Sequence, residues 1–242
     1  YQLYNGDGKM KGELAMNSRG LRGAGTIEYL AASVSANDFV FYPDSVLANG
    51  SRAFIAEKQF GAVNFPQATL TDFDMKWFPK LDQMKLKNTK APFTFYEGTA
   101  DMQGTVTITK DGVEGAGKLV TRGTELISRN MNFSAKDFGA RHARFKVNSE
   151  DPQKPLLQGN DIRLNFNLEQ NYADISPEVE GVAAIAFPFA QFKTSIPKMR
   201  WDLTAQKITM SKDPDVPLEN SYFYTTRKDL DSLNFNAEKA EY

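Results

Sequence analysis

The chain has 242 residues, 41% of them apolar and 24% charged, with 29 Lys and Arg against 30 Asp and Glu. That composition excludes a low-complexity or collagen-like chain, and it leaves no basic surplus to neutralise a nucleic-acid backbone. Cysteine is absent and His142 is the sole histidine, which excludes disulfides, thiolate metal sites, cysteine nucleophiles and any site needing two imidazoles.

From the first residue onward the pattern is that of short strands. A turn signal at Asn5-Gly6-Asp7-Gly8 precedes alternating segments centred near residues 14, 28, 40 and 54. Phe73, Met75 and Trp77 then share one face opposite Asp72, Asp74 and Lys76, and Met84 and Leu86 continue the alternation. Further strand centres fall near 106, 119, 132 and 145, with turn signals at Lys110-Asp111-Gly112 and Asp151-Pro152. Ile162, Leu164, Phe166 and Leu168 alternate with polar residues, as do Ile208 and Met210. The longest apolar-rich stretch, 182–192, is interrupted by Pro188 and Gln191 and falls short of the roughly 18 residues a membrane-spanning helix needs. Residues 228–241 fit a helix or a strand, and the alternation through Leu233, Phe235 and Ala237 favours a strand. The chain starts at Tyr1 without a signal peptide and stops within an alternating segment. Both ends read as cuts through a longer chain.

An internal repeat organises these strands. Shifted by 92 positions, residues 1–55 fall on 93–147 without a gap. Tyr4, Gly6, Met10 and Gly12 meet Tyr96, Gly98, Met102 and Gly104, and the string Gly20-Leu21-Arg22-Gly23-Ala24-Gly25 meets Gly112-Val113-Glu114-Gly115-Ala116-Gly117. A second match, Met75-Lys76-Trp77 with Met199-Arg200-Trp201, has an offset of 124. Together the offsets predict a repeat unit at 1–92, a second at 93–216 with a roughly 32-residue insertion near 148–186, and a further unit starting at 217–242. The expected fold is all-β with an elongated repeat architecture, a flattened β-solenoid or a stacked β-sandwich. The glycine string reads as a tight backbone corner. No Gly-Lys-Ser/Thr and no helix follows it to cradle a phosphate.

Candidate chemistry is sparse. His142 sits in Gly139-Ala140-Arg141-His142-Ala143-Arg144 and falls on Gly50 in the first copy, so the repeat does not keep it. Close carboxylate pairs are Asp72 with Asp74, Asp213 with Asp215 and Asp229 with Asp231, and all read as solvated edges or turns. Trp77 and Trp201 align in the offset match and read as core side chains filling one site twice, with sugar stacking as the rival. Arg163, Asp161, Glu169 and Asp174 lie in the expected insertion and could line a polysaccharide-lyase groove. Asn49-Gly50-Ser51 and Asn132-Phe133-Ser134 match the N-glycosylation pattern. Asp44-Ser45-Val46 and Asp231-Ser232-Leu233 match the Asp-Ser/Thr-apolar O-glycosylation pattern of exported Bacteroidota proteins.

The pattern carried by Gly12, Leu14, Met16, Gly20 to Gly25, Ile27, Asp38 to Phe41 and Ala48 to Ile55, repeated over 104–147, resembles large repetitive envelope proteins of Bacteroidota. The strand rhythm is also similar to the β-taco modules of lipopolysaccharide-transport proteins, which stack strands around an apolar groove. The resemblance implies an exported protein of the periplasm, outer membrane or cell surface. It brings no catalytic residue.

The sequence therefore predicts a non-catalytic structural or binding module of a larger exported envelope protein. The alternatives are a lipid conduit and a polysaccharide-binding or polysaccharide-cleaving β-helix. No catalytic, cofactor-binding or metal residue is expected. The expected partners are neighbouring repeats of the same chain or envelope proteins, with a glycan or a lipid as ligand, and neither nucleic acid nor a transmembrane helix.

Overall fold

The computed structural model describes residues 1–6, 8–151, 153–230 and 233–242. The fold is all-β, with 64% of the described residues in strands and, among them, only single-turn 3-10 segments as helix. The strands in chain order are β1 (Gln2–Leu3), β2 (Gly8–Asn17), β3 (Gly20–Tyr29), β4 (Ala32–Phe41), β5 (Val46–Ile55), β6 (Lys58–Phe60), β7 (Val63–Phe65), β8 (Ala68–Phe78), β9 (Gln83–Asn88), β10 (Phe93–Phe95) and β11 (Ala100–Thr109). They continue as β12 (Gly112–Thr121), β13 (Thr124–Phe133), β14 (Asp137–Val147), β15 (Leu157–Asn167), β16 (Tyr172–Pro177), β17 (Ile185–Phe187), β18 (Phe192–Thr194) and β19 (Lys198–Asp202). The last are β20 (Lys207–Ser211), β21 (Tyr222–Thr225), β22 (Asn234–Asn236) and β23 (Lys239–Glu241). No described helix is long and apolar enough to cross a membrane. Two compact units divide the chain, residues 1–119 with 132–135 and residues 120–131 with 136–242.

In the first unit β2, β3, β4, β5 and β8 pair antiparallel in sequence order. The second half of β8 then pairs with β9 and its first half with β10, and both short strands also flank β11. β9 and β10 thus lie end to end in one sheet position, broken where Pro92 removes a ladder donor. The β6–β7 hairpin stands apart from this sheet.

A crease runs across the middle of these long strands. Buried positions alternate by two, but β4, β8, β13 and β14 each contain one step of three, such as Leu70 to Phe73 in β8, Ser128 to Met131 in β13 and Ala140 to Ala143 in β14, while β3, β11 and β12 step by four across Gly25, Gly104 and Gly117. Register shifts fall at the same level, between Gly23 and Gly25 and between Ala36 and Phe39. An inserted residue bends a strand and flips its side-chain phase. Both halves therefore point their apolar residues to the same interior. The contacts demonstrate the bend. Trp77 pairs with Val46 at one end of β5, whereas Tyr29 belongs, through Ala32, with Ile55 at the other end. In a flat sheet those ends lie roughly 30 Å apart, yet the Tyr29 and Trp77 ring centroids are 5.3 Å apart. The sheet doubles back on itself, and its two halves bury Phe39, Phe65, Phe73, Trp77, Phe93 and Phe95, each 0–1% exposed.

At the crease the glycines of the repeated string have a steric task. Gly12 and Gly25 are cross-strand partners with φ of 144° and 137°. A Cβ on Gly12 would lie 2.0 Å from the Ala24 carbonyl oxygen, and one on Gly25 would lie 2.2 Å from that of Lys11. Gly104 and Gly117 reproduce the arrangement, with φ of 145° and 149°. The sequence reading of a tight corner holds, and the corner lies within paired strands.

The second unit uses the same plan with more breaks. β14 pairs with β15, which is flanked by β16 on one half and β17 on the other. β16, β19, β20 and β23 continue one half; β17, β18, β21 and β22 continue the other. Pro177, Pro197, Pro214 and Pro217 lie at or in the intervening gaps. Phe145 and Trp201 meet across the interior with centroids 6.5 Å apart. Among the described residues of 228–241, Lys228–Leu230 form a 3-10 turn, and Asn234–Asn236 and Lys239–Glu241 form strands, in keeping with the strand preference read from sequence.

The 92-residue repeat is visible in element bounds. β2, β3 and β4 recur as β11, β12 and β13 at that spacing, and the left-handed turn at Tyr4, Asn5 and Gly6 recurs at Tyr96, Glu97 and Gly98. Beyond them, strand register corrects the sequence alignment. β8 and β9 recur as β15 and β16: Phe73↔Asn88 and Trp77↔Met84 become Ile162↔Pro177 and Phe166↔Ala173. The stretch 148–186 therefore holds counterparts of β8 and β9. The counterpart of Trp77 is Phe166, and Trp201 lies in β19 opposite Ala173. Trp77 is fully buried, whereas Trp201 is only partly so. The match of Met-Lys-Trp with Met-Arg-Trp is a coincidence of two alternating strands. The next unit also starts earlier than residue 217, since β17 pairs with β15 as β10 pairs with β8.

Candidate functional site

A strand that bends loses ladder partners at the bend, and the freed backbone groups need others. In the first unit Asn88 Oδ1 accepts the Gly104 N–H at 2.7 Å. The Asp72 carbonyl oxygen accepts both the N–H and the hydroxyl of Thr89, at 2.9 and 2.7 Å. The second unit repeats the second of these locks, with the Glu178 N–H donating to the Asp161 carbonyl oxygen at 3.1 Å. Here, however, a charged cluster grows around it.

Glu178 follows β16, and its side chain is 2% exposed. Its carboxylate accepts from Arg141 Nε and Nη2 at 2.8 Å each, from the His142 N–H at 3.0 Å and from Arg163 Nη2 at 3.4 Å. The bidentate Arg141 guanidinium is the main cause that holds the carboxyl down at about pKa 2; burial opposes it, and His142 and Arg163 assist. His142 Nδ1 lies 2.9 Å from Asp161 Oδ1. Both residues sit at the bend with left-handed backbones, φ 48° and 55°.

This arrangement suits locking better than catalysis. A general acid must hold a proton at working pH, and Glu178 gives its proton up near pH 2. A serine triad needs a hydroxyl on the imidazole, and no hydroxyl among the described residues hydrogen-bonds His142. The lock carries a pH signature. A carboxyl depressed in the folded state stabilises it fully above the unfolded value near 4.5, and that stability is lost as pH falls through about 2. Glu178→Gln is expected to cost about 2 kcal/mol at neutral pH, with the gap to the native chain closing towards pH 2. Urea unfolding midpoints measured across that range test it.

The other residues singled out in the sequence are placed as follows. Arg163 and Asp174 line an open groove of about 680 Å³ with Lys198, Arg200, Lys239 and Glu241. Arg200 grips Asp174 through two bonds of 2.7 Å and stacks on Tyr172 at 4.0 Å. Lys198 pairs with Asp213. Three of the groove's cations are thus already held by carboxylates. Asp161 belongs to the bend with His142, and Glu169 is exposed in the turn after β15, so the four candidate lyase residues do not converge. Asp72 pairs with Lys90 at 3.2 Å while Asp74 accepts from Asn49 at 2.6 Å, so that pair does not act together. Asp229 pairs with Arg227, and its proposed partner Asp231, like Ser232, lies outside the described residues. Among the described residues no three His, Asp or Glu side chains gather as a metal site.

Sequence reasoning missed Glu178 and Arg141, which stand 37 positions apart. The one available signal was positional: Glu178 occupies the place of Thr89, which performs the same backbone task. Comparison with protein-family models, curated proteins and solved structures finds no match for the chain.

Proposed function

We propose that the chain is a non-catalytic structural or binding module of a larger exported bacterial envelope protein. The observation that carries this reading is the filled interior of a folded sheet built on a 92-residue repeat. The halves of the first unit meet through Trp77, Tyr29 and Tyr4, with ring centroids 5.3 and 5.5 Å apart. A lipid conduit needs an apolar groove left open between such halves, and a sugar-cleaving β-helix needs convergent carboxylates with one protonated. The strongly perturbed carboxylate, Glu178, is instead committed to the bend. Repetition with a constant fold and variable polar residues suits a spacer or scaffold, in which each unit continues the next.

The test uses the intact fragment on acidic polysaccharides, on glycan arrays, and in lipid extraction after purification. The expected result is no depolymerisation and no co-purifying acyl chains. Turnover abolished by Arg163→Ala would establish the lyase reading instead, and acyl chains recovered in stoichiometric amount would establish the conduit. Fractionation of the producing cells, with the protein expected in the envelope fraction, tests localisation.

A further inference from the structure

The repeat itself shows what one exposed edge of the first unit is built to receive. β11 is covered along its outer half by β9, with Thr105↔Lys87, Val106↔Leu86, Thr107↔Lys85 and Ile108↔Met84 in register. Val106 and Ile108 are 0% exposed there. β2 is the counterpart of β11, and β1 covers its start as β10 covers that of β11: Gln2↔Lys9 and Leu3↔Gly8 correspond to Thr94↔Asp101 and Phe95↔Ala100. Past that point, among the described residues, β2 pairs with β3 alone. Leu14 and Met16, which stand where Val106 and Ile108 are buried, are partly and largely exposed, Met16 at 75%. An edge strand that shows apolar side chains beside unpaired N–H and carbonyl groups is a template for another strand.

We propose that residues 13–17 of β2 dock an antiparallel strand whose residues alternate apolar and basic, the counterpart of β9 from another repeat of this kind. The register of the covered copy assigns each place. An apolar residue comes opposite Met16 and another opposite Leu14, and a basic residue comes opposite Ala15 and another opposite Glu13. The last is a matched pair: Thr105 faces Lys87 in the covered copy, and Glu13 in its place offers a cross-strand partner of opposite charge. The inference rests on the module reading for the source of the strand and on the β9–β11 pairing for its chemistry.

The experiment tethers a strand of sequence Gln-Met-Lys-Leu-Lys-Asn, that of β9, ahead of Tyr1 in the full chain through a flexible Gly/Ser linker, which gives a millimolar effective concentration. Amide hydrogen exchange and peroxide oxidation of Met16 are read. The outward amides of residues 13–17 are expected to exchange at least tenfold more slowly, and Met16 to oxidise several-fold more slowly. A control strand of the same composition with its alternation displaced by one residue is expected to leave both rates at the native value. Met16→Lys in the tethered chain is expected to return exchange to the untethered rate with an unchanged circular dichroism spectrum. Unslowed exchange with the β9 sequence, or equal slowing by the displaced sequence, overturns the proposal. Either result leaves the module reading intact, because that is judged by turnover and bound acyl chains.

Discussion

Replacing Trp77 by alanine is expected to destabilise the first unit by roughly 3–5 kcal/mol, the usual loss for a buried aromatic truncated in a packed core. The indole is 0% exposed and lies between the Tyr4 and Tyr29 rings, where it joins the two halves of the folded sheet. A Cβ added to Gly8 would come within 2.4 Å of its ring, so the pocket is tight around it. Trp77→Phe is expected to cost much less, about 1 kcal/mol. Phe166 fills the corresponding position in the other copy, and phenylalanine removes an indole N–H that has no hydrogen-bond partner. Denaturant unfolding of both variants checks the ranking. Acrylamide quenching supplies a second measurement: Trp201, partly exposed, is expected to quench strongly and Trp77 weakly. Equal quenching of the two, resolved with Trp201→Phe, would contradict the folded-sheet packing.

Gly25→Ala and Gly117→Ala are expected to cost about 2–4 kcal/mol each. Two effects act together. The φ values of 137° and 149° lie where an L side chain is strained, and the new methyl would meet a backbone oxygen 2.2 or 2.1 Å away. Unlike the end of a side chain, that oxygen cannot turn aside, since it belongs to the paired strand. Relief requires the crease to open. Gly20→Ala is the control, because a Cβ there meets nothing within 4 Å; its φ of 96° brings strain alone. It is expected to cost less than either, about 1 kcal/mol. Should Gly25→Ala unfold at the same urea midpoint as Gly20→Ala, the close approach of the two backbones would not be what the glycine string serves.

Much of the fold was legible because it depends on local rules. Period-two alternation identified strands, and the glycine string at a constant spacing of 92 identified the repeat from β2 to β13. Both signals are carried by neighbouring residues whose side chains must alternate or whose backbones must approach closely. The sequence also held the crease, as one step of three within several of the alternating runs, such as Thr124, Leu126, Ser128, Met131 and Phe133. That step acquires meaning only when adjacent strands show it at the same level, so tertiary pairing decided it. Strand register likewise decided that Phe166, and not Trp201, answers Trp77. A three-residue motif such as Met-Lys-Trp recurs readily among alternating strands, whereas the ladder admits one partner at each position. The Glu178 lock lay furthest from the sequence. Its members come from β14, β15 and the residue after β16, and each alone reads as a solvated charge. Only the bend, which leaves the His142 N–H without a ladder partner and places two guanidinium groups beside it, makes a buried carboxylate there favourable.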